Sequence, residues 1–383
     1  MLYKLKDIFD LQMGKTPSRN NIEYWNTNDY KWVSIADLTK TDKYIYDTKE
    51  YLSKKAVNES GIKIIPANTV IMSFKLSIGK TAITAEDMYS NEAIMAFHDK
   101  HIVEILPEYI FYLFKYKNWD DGSNKAVMGK TLNKAILSEV EIDICSIEEQ
   151  RKIVNVLDKI MNLISARKKE LSYLDTFTKA RFVEMFGDMT LARNDWEKLL
   201  LCDVCDVRDG THDSPKYFTE GYPLITSKNV SGGKIDFSDC NLICEEDYNK
   251  INQRSKVDVG DILMPMIGTV GKPVIVDSQK KFAIKNVALI KFRENSAVVN
   301  SFIKVLLESD YFDREVINKV RGGTQKFISL GDIRKLNICL PPIKLQNQFA
   351  AFVNEIDKSK SAVKKALDET QLLFDSLMQE YFG

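Results

Sequence analysis

The sequence predicts an α+β protein, in which two α/β domains are separated by two long, antiparallel, coiled-coil-like helices and are related by an internal pseudo-two-fold repeat. Three observations support this prediction. The second half of the 383-residue chain repeats the first, each half contains strand–turn–strand patterns, and each half ends in a long amphipathic segment that closes on Phe-Gly. The predicted order is a domain over residues 1–146, a helix over 147–187, a domain over 188–341 and a helix over 342–383.

The repeat in the two domains is clearest around two glycines and two asparagines. The segment LKDIFDLQMGKTPS aligns with LCDVCDVRDGTHDS, which pairs Gly14 with Gly210. The segment SNEAIMAF aligns with KNVALIKF, which pairs Asn91 with Asn286. Between them, IPANTVIMSFKLSIGKTAI aligns with VDVGDILMPMIGTVGKPVI at an offset of 192 residues. Both read as a strand, a turn at Gly-Lys and a returning strand, so we expect the two domains to share a topology.

The two long segments align without a gap at an offset of 196 residues, which pairs Gln150 with Gln346 and Gly187 with Gly383. A Ser-x-x-Glu capping box begins at Ser146 and predicts the start of the first helix. The second helix follows two prolines, which the first turn of a helix tolerates. Gly187 predicts the end of the first helix.

Each helix presents one seam of mostly apolar residues at spacings of three and four. Two one-sided seams need a partner, so we predict that the helices pack against each other; the alternative is two independent helices, each lying on its own domain. About 35 residues correspond to about 50 Å of helix, or about 15 base pairs of B-DNA, a length suited to a split DNA site. The seam residues are Ile153, Leu157, Ile160, Ile164, Arg167, Leu171, Leu174, Thr178, Arg181 and Met185, then Phe349, Val353, Ile356, Lys360, Val363, Leu367, Thr370, Phe374, Leu377 and Tyr381.

Composition limits the class of protein. Lys and Arg number 54 and Asp and Glu number 54, so the formal net charge is zero. A nucleic-acid-binding protein with this balance must cluster its positive charge locally. The charged start of the chain lacks the apolar region of a signal peptide, and no apolar run reaches the roughly 18 residues of a membrane span. Six cysteines in a chain of this length indicate a reducing compartment, and we expect a cytoplasmic protein.

Four cysteines have a spacing that zinc sites use, with Cys202 and Cys205 followed by Cys240 and Cys244. The repeat argues against zinc, because Cys205 aligns with the apolar Phe9 and the first half has no cysteine at the other three positions. We therefore favour free thiols and expect no metal.

These motifs resemble those of the specificity subunits of type I restriction–modification systems, over essentially the whole chain. GKTPSRNNIEYW followed by WVSIADL resembles the G-x-T-P-S…Y-W…W opening of the family. SIEEQRKIVNVLDKI is similar to the start of its long helix, and RFVEMFGD is similar to the end. The departures are Cys145-Ser146 in place of Pro-Pro, Lys344-Leu345 in place of Glu-Glu, and a second opening that lacks both tryptophans.

The resemblance implies that the two domains are target-recognition domains, each reading one half of a bipartite double-stranded DNA sequence, with the helices as spacers. It also implies that two methyltransferase subunits and restriction subunits bind the chain, which has no catalytic activity of its own. S-adenosylmethionine, ATP and Mg²⁺ would then belong to the partner subunits.

The absence of catalytic sequence motifs agrees with the expectation that the chain has no catalytic activity. The chain contains no Asn-Pro-Pro-Tyr-like adenine methylation motif, no G-x-S-x-G and no H-E-x-x-H. Two Gly-Lys-Thr triplets lack the first glycine of a P-loop, because Phe74 and Asn124 stand there. Two alternatives remain: a stand-alone bipartite DNA-binding regulator or anti-restriction decoy with this fold, and a nuclease with an unrecognised site.

Candidate DNA contacts are basic or small polar side chains on predicted loops, because phosphates attract cations and base edges select hydrogen-bonding groups. In the first domain they lie on the loop at residues 14–19, on the strand–turn–strand segment, where alternation directs Lys75 outward, and on the stretch GKTLNK. The alternatives are a solvated loop, an exposed strand lysine and, for Asn133, a helix cap. The candidates are Lys15, Thr16, Ser18, Arg19, Lys75, Ser77, Lys80, Lys130 and Asn133.

In the second domain, the loop that begins at Arg321 is the strongest candidate, since Arg and Gln give bidentate readouts of guanine and adenine; a flexible linker is the alternative. Trp25, Trp32 and Trp119 are expected in the core, because recognition of a duplex needs no base-stacking platform. The candidates are Thr211, His212, Lys216, Ser227, Lys228, Asn229, Lys272, Arg321, Thr324, Gln325 and Lys326.

Overall fold

The structure is a computed structural model that describes residues 1–25, 27–75, 77–119, 132–189, 196–267, 271–319 and 327–383. The chain forms two compact units. Unit 1 comprises residues 1–167 and 366–383, and unit 2 comprises residues 168–365. Both divisions between the units fall within long helices.

The described residues of unit 1 form ten strands and five short α-helices, followed by the first long helix. The strands are β1 (Leu2–Lys4), β2 (Phe9–Met13), β3 (Tyr30–Val33), β4 (Tyr44–Ile45), β5 (Glu50–Leu52), β6 (Val70–Ser73), β7 (Thr81–Thr84), β8 (Tyr89–Ser90), β9 (Ile94–Asp99) and β10 (Glu141–Asp143). The helices are α1 (Leu5–Ile8), α2 (Ile35–Lys40), α3 (Lys54–Ser60), α4 (Pro107–Tyr116), α5 (Lys134–Glu139) and α6 (Ile147–Phe186), of which α6 continues into unit 2.

The main sheet of unit 1 has the order β2-β9-β6-β7-β4, antiparallel except for the β4–β7 pair. A second sheet has the order β5-β3-β8, and β1 pairs with β10. Every residue of β6 and β7 is buried, because both faces of the main sheet are covered. Met72 on one face joins a core with Phe97 and Phe114 of α4, whereas Ile71 on the other joins a core with Ala82.

In the part of unit 2 that the structure describes, the chain forms eleven strands and five short α-helices, followed by the second long helix. The strands are β11 (Glu197–Leu200), β12 (Asp206–Asp209), β13 (Tyr222–Ile225), β14 (Val230–Ser231), β15 (Lys234–Ile235), β16 (Asn241–Ile243), β17 (Ile262–Pro265), β18 (Val274–Ile275), β19 (Ala283–Ile284), β20 (Val287–Lys291) and β21 (Asn337–Leu340). The helices are α7 (Leu201–Val204), α8 (Glu245–Ser255), α9 (Asn300–Leu307), α10 (Asp310–Glu315), α11 (Leu330–Arg334) and α12 (Ile343–Phe382), of which α12 ends in unit 1.

Unit 2 repeats the topology of unit 1. Its main sheet has the order β12-β20-β17-β18, and its second sheet has the order β16-β13-β19 with β13 and β19 parallel. The predicted strand–turn–strand segments are confirmed in both units, as β6–β7 and β17–β18. The units differ where unit 1 adds β4 to its main sheet and unit 2 carries the β14–β15 hairpin. The predicted fold class is therefore confirmed.

The two long helices each contain 40 residues, against the expected 35 or so, and each corresponds to about 60 Å. All seam residues are buried or half-buried. Within unit 2, Asp175 lies 2.7 Å from Lys360, and the rings of Phe182 and Phe349 lie 5.5 Å apart, so the helices run antiparallel. Within unit 1, the Arg167 guanidinium donates to the carbonyl of an α12 residue. Mutual packing is thus confirmed within each unit. No helix in the described ranges is both long and apolar enough to cross a membrane.

A buried glutamine attaches the start of each long helix to its sheet domain. The amide oxygen of Gln150 accepts from the backbone of Leu106 at 2.9 Å, and its nitrogen donates to the carbonyls of Glu104 and Cys145, both at 3.0 Å. Gln346 repeats this arrangement in unit 2, with bonds of 2.8–3.0 Å to the backbone at three positions. Both side chains are fully buried. The two glutamines that the sequence repeat pairs therefore make the same contact, once in each unit.

We expect Gln346→Leu to lower the free energy of unfolding by about 3 kcal/mol, because three buried backbone groups, at Val299, Ala297 and Pro341, lose their partner. Gln348→Leu, on the exposed side of the same helix, is the matched control and should change stability by less than about 0.5 kcal/mol. Denaturant unfolding followed by circular dichroism measures both. Equal effects of the two substitutions would contradict this role of Gln346.

Candidate nucleic-acid interface

The loop at residues 14–19, which carries four predicted DNA contacts, lies against the segment that precedes β9. The backbone of Gly14 donates to Ile94 at 3.1 Å, and the backbone of Lys15 donates to Ser90 at 2.8 Å. A Cβ at Gly14 would lie less than 3.0 Å from the carbonyl oxygen of Asn91, a separation that real Cβ atoms do not show. Glycine is therefore required here by the close approach of two backbones.

Two tryptophans donate hydrogen bonds to the backbone of this loop. The indole N–H of Trp32 donates to the carbonyl of Lys15 at 3.1 Å, and that of Trp25 donates to the carbonyl of Ser18 at 3.1 Å. Their rings pack edge to face at 5.0 Å, and both are buried. The core position expected for these tryptophans is thus confirmed, and Trp119 is also buried. The indoles serve as hydrogen-bond donors that fix the shape of the loop.

Arg19 is oriented by the same aromatic pair. Its guanidinium lies 3.9 Å from the ring centroid of Trp25 and 4.9 Å from that of Trp32. Glu50 receives two hydrogen bonds from the guanidinium, one of them at 3.1 Å. The side chain remains about half exposed, so its cation is positioned at the surface by a stack and an ion pair.

The segment between β6 and β7 carries three further candidates, of which Lys75 acts on the same carboxylate as the loop at residues 14–19. Lys75 is half-buried, whereas Ser77 and Lys80 are exposed. The hydroxyl of Thr16 donates to Glu92, and this hydrogen bond is the main cause of the lowered pKa of Glu92. The positive charges of Lys75 and Arg19 lower the pKa of Glu92 further. Candidates from two segments therefore converge on Glu92, a residue that the sequence analysis did not select.

Of the two candidates near α5, one caps that helix and the other lies outside the described residues. The side-chain oxygen of Asn133 accepts from the backbone of Ile136 at 2.9 Å and caps α5, which was the alternative interpretation. Lys130 lies outside the part of the chain that the structure describes.

In unit 2, backbone hydrogen bonds hold the loop at residues 210–216 in a way similar to the loop at residues 14–19. The backbone of Gly210 donates to Val287 at 3.1 Å, and that of Thr211 donates to Ile284 at 3.0 Å. A Cβ at Gly210 would lie less than 3.0 Å from the carbonyl oxygen of Ile284. The two glycines paired by the repeat therefore meet the same steric constraint. Lys216 is exposed on this loop.

A polar network holds the unit 2 loop where unit 1 uses tryptophans. His212 contacts the side chain of Asn286 at 2.7 Å through Nδ1 and the carboxylate of Asp209 at 2.8 Å through Nε2. The contacts with Asn286 and Asp209 raise the pKa of His212 above its ordinary value. The hydroxyl of Ser227 donates to the carbonyl of Asn286 at 3.3 Å. Thr211, His212 and Ser227 are thus brought together around the asparagine that the repeat pairs with Asn91.

The remaining candidates in unit 2 differ in accessibility. Asn229 is buried, and its amide bonds the backbone of Thr226, Asp236 and Asp239, so in this conformation it holds the loop rather than offering a polar group to a base. Lys228 pairs with the side chain of Asp239 at 3.3 Å, and Lys272 is exposed. Four candidates lie outside the residues that the structure describes, namely Arg321, Thr324, Gln325 and Lys326.

The cysteines considered for zinc lie in unrelated surroundings. Cys205 is buried, and burial raises its pKa to about 12, whereas Cys202 is exposed. The thiol of Cys240 contacts a backbone carbonyl, and that of Cys244 contacts Asp247. Among the described residues, no group of three or more His, Cys, Asp or Glu side chains could hold a metal ion.

We expect Gly14→Ala to destabilise unit 1 by about 2 kcal/mol or more, because the methyl group would overlap the carbonyl of Asn91 and force the loop away from the sheet. Gly331→Ala is the control, since its Cβ would come no closer than 3.5 Å to its nearest neighbour. Thermal unfolding compares them. A loss in Gly331→Ala as large as that in Gly14→Ala would argue against a local steric cause.

We expect the contribution of His212 to stability to depend on pH. Because its folded-state pKa is raised, the contribution is fully present below its ordinary pKa of 6.5 and is lost as pH rises through the folded-state value. The melting temperature of the wild type should therefore exceed that of His212→Gln by more at pH 6 than at pH 8. A difference for His212→Gln that is constant with pH would contradict protonation of this imidazole as the cause.

Comparison with known proteins identifies the family. The family model described as the type I restriction modification DNA specificity domain matches residues 1–173 and 193–370. The MjaIX specificity subunit of a type I restriction enzyme from Methanocaldococcus jannaschii is 28% identical, with 92% of this chain and 85% of that protein covered. The EcoKI specificity subunit of Escherichia coli K12 is 21% identical, with 96% and 85% covered.

Solved structures share the fold. A type I restriction–modification S subunit from M. genitalium aligns over 100% of this chain and 96% of its own, with a TM-score of 0.55 and 15% identity. A chain from a structural study of complex assembly and conformational transition of the type I R-M system aligns over 100% and 97%, with a TM-score of 0.59 and 17% identity. Because the family model matches two stretches that together cover most of the sequence, the chain belongs to the specificity-subunit family of type I restriction–modification systems.

Proposed function

We propose that this chain selects the DNA sequence on which a type I restriction–modification enzyme acts. Each unit would read one half of a bipartite double-stranded target, and methyltransferase and restriction subunits would bind to the chain. The alternatives are a stand-alone DNA-binding regulator or anti-restriction decoy of the same fold, and a nuclease with an unrecognised site.

The observation that carries the proposal is one loop architecture with two different sets of polar side chains. In both units a required glycine, Gly14 or Gly210, holds a polar loop against the segment that contains Asn91 or Asn286. The backbone is repeated, whereas the side chains around it differ: an Arg stacked on tryptophan in unit 1 and a His in a polar network in unit 2. Such a pair of surfaces suits recognition of two unlike half-sites, because base-edge contacts depend on the side chains.

We propose that the chain has no catalytic activity and that the chemistry is done by its partners. S-adenosylmethionine, ATP and Mg²⁺ would bind to the methyltransferase and restriction subunits, and the complex would act in the cytoplasm. Flipping and methylating an adenine needs a pocket for the extruded base. The motifs for such a pocket are missing from the sequence, which supports their location in a partner.

Co-expression of the full chain with a methyltransferase subunit of a type I restriction–modification system tests the proposal. We expect a stable complex of defined stoichiometry and methylation of adenine at one split sequence, read by methylation-sensitive sequencing of the host genome. Cells with the methyltransferase alone are the control. A chain that forms no such complex would support the regulator or decoy, and DNA cleavage by the isolated chain in Mg²⁺ or Mn²⁺ would support the nuclease.

We expect Arg321→Ala to weaken or relax recognition of one half-site and to leave the other unchanged, because one guanidinium can contact one base pair. Arg314→Ala, which removes the partner of Asp188 in the same unit, is the control for a loss of positive charge. The measurement is the methylated sequence in cells carrying each variant. Equal relaxation of both half-sites would argue against a base contact by Arg321.

A further inference from the structure

In each unit, a charged residue is adjacent to the asparagine that the repeat pairs, Asn91 or Asn286. The sign of this charge differs between the two units. In unit 1, Glu92 follows Asn91, and in unit 2 Lys285 precedes Asn286. The repeat aligns Glu92 with an apolar residue, Val287, so neither charge has a counterpart in the other unit. The segment that contains this asparagine therefore carries a negative charge in unit 1 and a positive charge in unit 2.

Both charged groups are held against the loop that carries the candidate DNA contacts. Glu92 is exposed and accepts a hydrogen bond from the Thr16 hydroxyl, and the positive charges of Lys75 and Arg19 act on it. Lys285 is half-buried and donates to the hydroxyl of Ser214. Each charge therefore belongs to the same surface as the polar loop of its unit.

A carboxylate on a DNA-binding surface needs a specific partner, because the phosphates repel it. An ionised carboxylate only accepts hydrogen bonds, so its preferred partner in the major groove is the N4 amino group of cytosine, because adenine places the acceptor N7 beside its N6 amino group. Thr16 uses one acceptor position on Glu92 and orients the group. An ammonium group only donates, and its preferred base in the major groove is guanine, through O6 and N7.

We propose that Glu92 and Lys285 are specificity-determining residues of the two half-sites. Glu92 accepts a hydrogen bond from the amino group of a cytosine in the half-site read by unit 1. Lys285 donates to a guanine in the half-site read by unit 2. This inference rests on the proposed function and adds which base edge each unit selects.

The test compares the methylated sequences produced by the full chain, co-expressed with its methyltransferase, for the wild type, Glu92→Gln and Lys285→Gln. A glutamine amide pairs with adenine through N6 and N7. We therefore expect Glu92→Gln to shift one position of one half-site from cytosine toward adenine, by about tenfold or more in relative methylation. Lys285→Gln should shift a guanine toward adenine in the other half-site only.

Matched controls separate a base contact from a general effect of charge. Glu148→Gln and Lys344→Gln change exposed residues at equivalent positions in the first turns of α6 and α12, and both should leave the methylated sequence unchanged. Glu92→Asp keeps the charge on a shorter side chain, and should retain the preference for cytosine with less methylation. Copurification with the methyltransferase and an unchanged melting temperature show that each variant folds.

The outcomes distinguish this inference from the proposed function. A methylated split sequence that Glu92→Gln and Lys285→Gln leave unchanged would overturn the inference and leave the proposed function intact. So would a shift of both half-sites by a single substitution. A wild-type chain that directs no methylation at all would contradict the proposed function itself. If Glu92→Gln fails to fold, a methylated sequence and a level of methylation that are both unchanged in Glu92→Asp would overturn the assignment of Glu92.

Discussion

The hydrogen bonds of one buried glutamine in each unit are the constraint on which the rest of the architecture depends. The side chain of Gln150 or Gln346 joins the first turn of a 40-residue helix to the connection that follows the main sheet. An amide buried without partners is costly, so this arrangement is stable only when the helix and the connection meet in one geometry. The apolar seam of the helix can then continue from a defined starting point, because the position and rotation of its first turn are already set.

A second constraint fixes the backbone of the loops at residues 14–19 and 210–216 and leaves their side chains free to vary. Gly14 and Gly210 allow the loop to approach the neighbouring segment more closely than any residue with a Cβ could. Once the backbone is held in this way, the means of support can change. Unit 1 uses the indole N–H groups of Trp25 and Trp32, whereas unit 2 uses the contacts of His212. Loops supported by a rigid sheet tolerate such changes, and this makes them suitable sites for altering specificity.

Much of the fold could be predicted from the sequence, because the relevant signals are local or repeated. The heptad-like spacing predicted the helix seams, and the Gly-Lys turns predicted the strand pairs β6–β7 and β17–β18. The candidate site was predicted less completely. Asn133 and Asn229 use their polar groups in hydrogen bonds inside the protein. Their hydrogen-bond partners could not be predicted, because the local sequence does not specify them. Glu92 is not among the predicted contacts because those were cations and small polar groups, although the repeat pairs its neighbour Asn91 with Asn286.

On the proposed function, the distribution of charge in this chain favours selectivity for one DNA sequence over affinity for any duplex. The formal net charge is zero, and Arg19 and Lys228 on the candidate surfaces are paired with carboxylates. Attraction to phosphates rises with the number of cations free to replace counterions, so such pairing reduces binding to any sequence. It has less effect on hydrogen bonds to base edges, which depend on geometry. On the proposed function, a surface of this kind would contribute discrimination between sequences, and the partner subunits would contribute much of the non-specific affinity for the duplex.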